Sequence, residues 1–476
     1  MRSTFMGFGL ALSGISAAQA GLDVTGQNMS NISTEGYSRQ ELEQSAAVVY
    51  GSGKFSTTRG TFTGAGVSVD SIRQIRDRFL DVRYRNAASA SGALEKKVDI
   101  LTNVREIFDE TQTDGLNVMY EELYANLQTL SDNAGKVEFS SIVRSSAQKV
   151  AKTLNQYSSS LDTIAEQEMN DLSTTVGDIN TLLEKINSIN DTIKTEMLRG
   201  NATNSLSDSR DSYLDKLAGK IGITVESNSD GTVNVKSGGE CLLDASTGTP
   251  AVLKTEGDLG DVKIIIGDST ELKVSTGSIF GSLEVLNGKG SYAADGESTF
   301  RGIPYYKNCL DDFSAALKTT MNELNACNGE EKPLFTGTGA SDINISDKWV
   351  ADANYITASQ SGSTDGEGDN ILKMISTLNK DIKISDYFTG TFDKFTTTLM
   401  LDSGVDVNYE SDLASTADLV LTSVANKRES EMGVSLNEET ANLLKYQKAF
   451  EASSRFMTTL DEALDVIINK MGTVGR

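Results

Sequence analysis

Apolar residues recur at alternating steps of three and four over the last stretch of the chain, residues 433–472. A step of seven picks out Leu436, Leu443, Phe450, Met457, Leu464 and Met471 without a polar interruption. The interleaved series gives Tyr446, Leu460 and Ile467, with Ser453 and Glu439 as its weak members. This spacing predicts a long helix with one narrow apolar seam, the pattern of a coiled coil. Ser435 followed by Glu438 has the spacing of a capping box and marks the helix start. A lone helix of this kind is marginal in water, so its seam requires a partner.

The opposite end of the chain supplies one. Phe5, Phe8, Leu12, Ile15 and Leu22 also fall at 3,4 spacing. The same stretch, with Arg2, an apolar middle and Ala18-Gln19-Ala20, has the outline of a secretory signal. Gly7, Gly9, Ser13, Gly14 and Ser16 interrupt the all-round apolar run such a signal keeps. The period therefore predicts a helix whose seam faces the C-terminal one. No stretch of about 18 apolar residues occurs, so no membrane span is expected.

Residues 28–40, rich in Asn, Ser and Gly, read as a helix exit into a turn. Gly, Thr and Ser dominate 45–75, and the alternation near Val67, Val69 and Ile72 predicts extended segments. Helical periodicity runs from Arg78 to about residue 200, with Leu172, Val176, Ile179, Leu183, Ile186, Ile193 and Met197 as a seam. At Ile221 the period changes to two. Ile223 to Val225, the turn sequence Asn228-Ser-Asp-Gly231, and Val233 to Val235 predict a hairpin. Val262 to Ile266 and Leu272 to Val274 carry β character to about residue 280. Helix returns over 305–325, near 371–379 and over 412–432. The expected fold is mostly α with inserted β. It divides into a discontinuous terminal coiled-coil domain (1–34 and 434–476), a helix-rich domain with extended segments (35–220 and 293–433) and a small β-rich outer domain (221–292).

Charge and composition narrow the function. Lys and Arg number 43 against 67 Asp and Glu, for a net charge of −24, which argues against nucleic acid and anionic membranes as partners. Histidine is absent, which removes Ser-His and Cys-His nucleophiles and His-ligated metals. The three cysteines, Cys241, Cys309 and Cys327, are too scattered for a disulfide framework or a CxxC pair. Gly51-Ser-Gly-Lys-Phe-Ser resembles part of a phosphate-binding loop, but Val48 replaces the first glycine and Phe55 the Ser/Thr. Asp365-Gly-Glu367-Gly-Asp369 has the alternation of a calcium loop, with Asn370 at the glycine position and Ser376 at that of the bidentate Glu. Asp208-Ser-Arg210-Asp211 reads as capping and ion pairing. No catalytic residue, cofactor or metal site is expected.

Two blocks then point to a family. The residues Asn28-Met-Ser-Asn31-Ile-Ser-Thr34-Glu-Gly36-Tyr37-Ser38-Arg39-Gln40 resemble the signature of the rod, hook and junction proteins of the bacterial flagellum, with Glu35 in place of the usual Pro. The terminal helix is similar nearly throughout to that of the flagellar hook-associated protein 1 family. Ser207 to Leu214, Asp230 to Val235, and Leu334-Phe-Thr-Gly337 add internal matches. The resemblance implies a structural, extracellular part of the flagellar axis that joins hook to filament and is no enzyme. It implies unfolded export through the flagellar type III apparatus without a cleaved signal, with a chaperone covering the C-terminal helix. The partners it implies are the hook protein, a second junction protein on the filament side, and other copies of the chain in a ring. The assembly seam would comprise Phe5, Phe8, Leu12 and Ile15 with Leu436, Leu443, Phe450, Met457, Leu460, Leu464 and Ile467. Two other classes remain open: a type III-secreted coiled-coil adhesin or effector, and an extracellular hydrolase using carboxylates of the β-rich stretch.

Overall fold

The computed structural model describes residues 6–34, 36–47, 66–109, 115–267, 269–294, 297–327, 330–360 and 367–470. Phe5, Glu35, the 51–56 fragment, Asp365 and Met471 lie outside them. The fold is mostly α with small antiparallel sheets. Helix α1 (Met6–Ser30) leads into a two-stranded ribbon, β1 (Gln40–Ala46) with β2 (Val67–Gln74). Four helices come next: α2 (Arg78–Phe108), α3 (Leu116–Asp132), the 62-residue α4 (Val137–Leu198) and α5 (Asn204–Lys220). Asp77 caps α2 by accepting from the Phe79 amide, an acidic cap that suits the positive end of the helix dipole.

The chain then forms two sheets. β3 (Thr224–Ser227), β4 (Val233–Ser237), β5 (Glu240–Asp244) and β6 (Thr249–Pro250) make one. β7 (Leu253–Glu256), β8 (Lys263–Ile266) and β9 (Thr270–Glu271) make the other. The first hairpin pairs Val225 with Val235 and turns at Gly231, whose φ of 79° suits a residue without Cβ. These sheets lean on α4 through asparagines. Asn180 exchanges two bonds with the Leu253 backbone, Asn187 donates to Gly248 O, and Asn190 exchanges two with Val233. Strand edges that no strand covers are thus satisfied by amide side chains, as buried backbone requires.

Two elements differ from the sequence reading. α6 (Ser278–Asn287) is a helix where β character fades, its short apolar run being ambiguous between the two periods. α7 (Ile303–Asn325), α8 (Asp347–Ala351) and α9 (Asp369–Leu378) come after it, with two-residue pairs β10 (Phe335–Thr336) and β11 (Asn344–Ile345), then β12 (Ile382–Lys383) and β13 (Thr389–Gly390). α10 (Phe392–Met432) starts 20 residues before the expected 412. Its opening Thr396, Thr397, Thr398 and Gly404 are poor helix formers, and packing of Phe392, Phe395 and Leu399 overrides them. α11 (Leu436–Asp465) ends the chain's helices, with a further π-helical turn to Lys470. No helix among the described residues is long and apolar enough to cross a membrane.

The main core lies where α3, α4, α7, α9 and the start of α10 meet. Phe313 sits edge-on to Phe392 at 5.2 Å and to Tyr120 at 6.4 Å between ring centroids. The single tryptophan, Trp349, packs against Phe335 and is fully buried. Phe313→Ala should cost about 3–5 kcal/mol through the cavity it leaves. Guanidinium unfolding followed by Trp349 fluorescence checks it; a loss under about 1 kcal/mol would mean that the site collapses without a cavity.

Candidate functional site

The signature turn is built from short-range bonds. Asn31 closes the end of α1 by donating to Gln27 O, and Thr34 donates to the Asn31 side chain. Gly36 takes a φ of 78°, which swings the chain back toward α5. Asn28, 1 % exposed, is the centre of a polar clasp between the two ends of the chain. Its Oδ1 accepts from the Tyr37 hydroxyl and from the Gln40 amide, both at 2.9 Å. Its Nδ2 donates to Gln40 O at 2.9 Å and to Glu439 Oε2 at 3.2 Å, on the first turn of α11. Arg39 completes the clasp: Nε meets Glu439 Oε1 at 2.9 Å, Nη1 meets Glu438, and its amide donates to Met432 O. The capping box expected of Ser435 and Glu438 is absent, since Ser435 makes no side-chain cap bond and Glu438 is taken by Arg39.

Behind the clasp lies a buried ion network. Ser38 donates its amide and hydroxyl to Asp208, the hydroxyl at 2.7 Å. Arg76 contacts Asp81, Asp208 and Asp211; Arg85 contacts Asp211 and Asp215; Arg428, near the end of α10, contacts Asp81 and Asp215. The 208–211 cluster therefore does pair ions, on α5, between α2, α10 and the signature turn. Burial would lower the Arg76 pKa, but its hydrogen bonds to Asp81 and the charges of Asp211, Asp81 and Asp215 raise it. Burial raises Asp208, against the opposing bonds from Ser38 and the charge of Arg76.

From the clasp, α1 and α11 run antiparallel. A Cβ placed on Gly21 would stand 2.5 Å from the Tyr446 ring, one on Gly14 2.7 Å from Ser453 Oγ, and one on Gly7 3.0 Å from Leu460. The two series step by seven in opposite directions and continue into Asn28 and Glu439. The contact stripe is thus Gly7, Gly14, Gly21 and Asn28 against Leu460, Ser453, Tyr446 and Glu439. Bare glycine backbone lets α11 approach closely.

The expected seam residues lie around this stripe. Phe8 and Ile15 are half-buried, and Leu12 points outward at 58 % exposure. On α11, Leu443, Met457, Leu460 and Leu464 are half-buried, while Leu436, Phe450 and Ile467 are 53, 36 and 46 % exposed. The N-terminal face that meets α11 is rotated from the one apolarity picks out, because it is a glycine face. The signal in the sequence is the heptad repeat of Gly7, Gly14 and Gly21, of which Gly7 and Gly14 appear there only as interruptions of an apolar run. Gly36, Tyr37 and Arg39 are partly buried and Ser38 fully; Thr34 is exposed. Among the described residues no group of three or more His, Cys, Asp or Glu is placed to hold a metal.

Two substitutions probe this geometry. Gly21→Val should push Tyr446 aside and undo the pairing of α1 with α11, while Trp349 fluorescence stays that of the native chain. Hydrogen exchange over 436–465 should rise to unprotected rates in this variant; unchanged protection would show that the stripe does not hold the pair. Burial, with the charges of Asp208 and Glu439, pushes the Tyr37 hydroxyl up to about 12 from 10.0. The folded state therefore holds this proton more tightly, so its contribution is intact below pH 10 and is lost as pH rises toward 12. Urea titrations across that window should show a shallower decline in Tyr37→Phe than in the native chain, and parallel declines would refute the assignment.

The chain is similar to known proteins of one family. A family model described as the flagellar hook-associated protein FlgK helical domain matches residues 101–330, and one described as the flagellar basal body rod FlgEFG protein C-terminal matches 428–470. Flagellar hook-associated protein 1 of Bacillus subtilis (strain 168) is 31 % identical over 523 aligned positions that cover 100 % of both chains. That of Escherichia coli (strain K12) is 23 % identical, covering 96 % of this chain and 98 % of its own. The flagellar hook junction protein FlgK from Burkholderia pseudomallei shares the fold, with a TM-score of 0.61 at 11 % identity, over 73 % of this chain and 100 % of its own.

Proposed function

The chain belongs to the flagellar hook-associated protein 1 family, and on that premise we propose that it is a structural, non-catalytic junction piece joining hook to filament. One observation carries this reading: in the single chain, α11 buries Glu439 and no other residue. Leu436, Phe450 and Ile467, with Leu12 opposite, remain open to solvent on helices that are already paired. Such faces are completed by neighbours in a tube, with hook protein on one side, a second junction protein on the other, and further copies in a ring. Phe5, Phe8, Ile15, Leu443, Met457, Leu460 and Leu464 make up the rest of the assembly seam. The division into 1–34 with 434–476, 35–220 with 293–433, and 221–292 obeys the same logic, from axis outward. Weakly covered ends also suit export in unfolded form through the flagellar type III channel, with a chaperone groove holding the α11 seam until assembly. The protein then resides in the extracellular flagellar axis.

A chain lacking 434–476 should keep its native Trp349 emission, because the aromatic core is made without those residues. It should be absent from hook tips when expressed in cells without the intact protein. Normal incorporation of the truncated chain would refute the proposal.

A further inference from the structure

Three guanidiniums near the buried network have no carboxylate within ion-pairing distance among the described residues: Arg78, Arg83 and Arg210. Arg210 is 7 % exposed, spends Nη1 on Asn190 and Gly231 O, and leaves Nε without a partner. Burial lowers its pKa, and the charges of Arg85, Arg76 and Arg78 add to the effect against that of Asp211. Arg78 and Arg83 are exposed on the first turns of α2, and Arg83 stands over the Phe79 ring at 5.8 Å. Phe79 is 65 % and Val82 51 % exposed on the same side. Beside them opens a cleft of about 240 Å³, lined in part by Arg78, Val82, Arg210 and Val225. Asp77, the nearby acid, is occupied as the cap of α2. A cationic, partly apolar surface is thus concentrated here on a chain of net charge −24.

The complementary surface is on the same molecule. Between Lys394 and Lys427, α10 carries five acids and no base. Asp402 and Asp406 hold Arg301, Glu410 is buried near Lys97, and Asp412 and Asp418 are exposed with no basic partner among the described residues. Its outward ridge exposes Leu401 (61 %), Val405 (58 %) and Tyr409 (62 %), and exposed Asp412 falls on the same helical face. From residue 411 to 423 no residue of this helix is fully buried in the single chain. α2 and α10 are antiparallel, with Arg428 against Tyr84 at one end and Lys97 near Glu410 further along. The two surfaces are therefore offset by about 15 residues of helix, roughly 20 Å. They do not meet within one chain.

We propose that the Arg78–Phe79–Val82–Arg83 face and its cleft receive the Leu401–Val405–Tyr409–Asp412 ridge of α10 from a second copy of this chain, apolar against apolar, with Asp412 meeting the two arginines. The contact is heterologous, head to tail, the kind that builds rings and tubes rather than closed pairs. Charge favours this pairing, since Arg78 and Arg83 would meet Asp412, whereas two such ridges brought together would set Asp412 against Asp412. The inference rests on the reading that copies associate at the hook–filament joint.

The experiment uses the full chain in flagellated cells lacking the native copy. In a background with Cys241→Ser and Cys327→Ser, Val82→Cys with Val405→Cys should give an oxidative cross-linked ladder in isolated junctions. Arg78→Glu with Arg83→Glu should reduce incorporation about tenfold or more, and adding Asp412→Arg should restore it. Both arginines are exposed, so a native melting temperature is expected and confirms that the loss is not one of folding. Incorporation of the double variant at the native level overturns the contact. A loss that is neither rescued nor accompanied by a ladder also overturns it, since the face then serves another partner. If the unaltered chain is not found at hook tips, the junction reading itself fails, which is a distinct result.

Discussion

The one residue that α11 buries is a carboxylate, Glu439. An unpaired charge there would cost several kcal/mol, so Arg39 and Asn28 must reach it, from 400 and 411 positions away in sequence. The geometry of both ends derives from that requirement. Asn28 spends all four of its bonds on Tyr37, Gln40 and Glu439, which fixes the exit from α1, the start of β1 and the first turn of α11 at once. An apolar contact could have supplied similar free energy, but it tolerates sliding. A bidentate polar one does not.

The clasp is coupled to the body through charge rather than through a greasy core. Ser38, next to Arg39, hands on to Asp208, and the aspartates of α2 and α5 bind Arg76, Arg85 and Arg428. Arg428 also lies 4.3 Å over the Tyr84 ring. Each guanidinium joins different helices, so the root of α10 cannot shift without stranding a buried charge. Leu12, Leu436, Phe450 and Ile467 are thereby left uncovered in the single chain.

Much of the architecture was legible in the periodicity. The helices over 78–200, the hairpin with its Asp-Gly turn and the long terminal helix are consequences of local spacing. What stayed hidden depends on contacts. α6 and the first half of α10 lack a clean period, and their neighbours decide them. The asparagines of α4 look like solvated polar residues until strands are laid against them. Apolarity alone does not mark the face of α1 that lies closest to α11, which is the glycine face. Gly7, Gly14 and Gly21 make contact by having no side chain at all. The signature residues were legible only by resemblance, since nothing local in Asn28 announces that it will bind Glu439.

Arg39 N and Met432 O lie 2.9 Å apart, so the chain leaves the terminal pair and rejoins it at one place, while the β1–β2 ribbon runs back along α1 to bring the Val67 amide to Ser13 Oγ. Both crossings of the chain between the terminal pair and the body are thus tied by one backbone bond. Segments beyond that bond and the ribbon, such as the two sheets on α4, can change in length without touching the clasp or the glycine stripe.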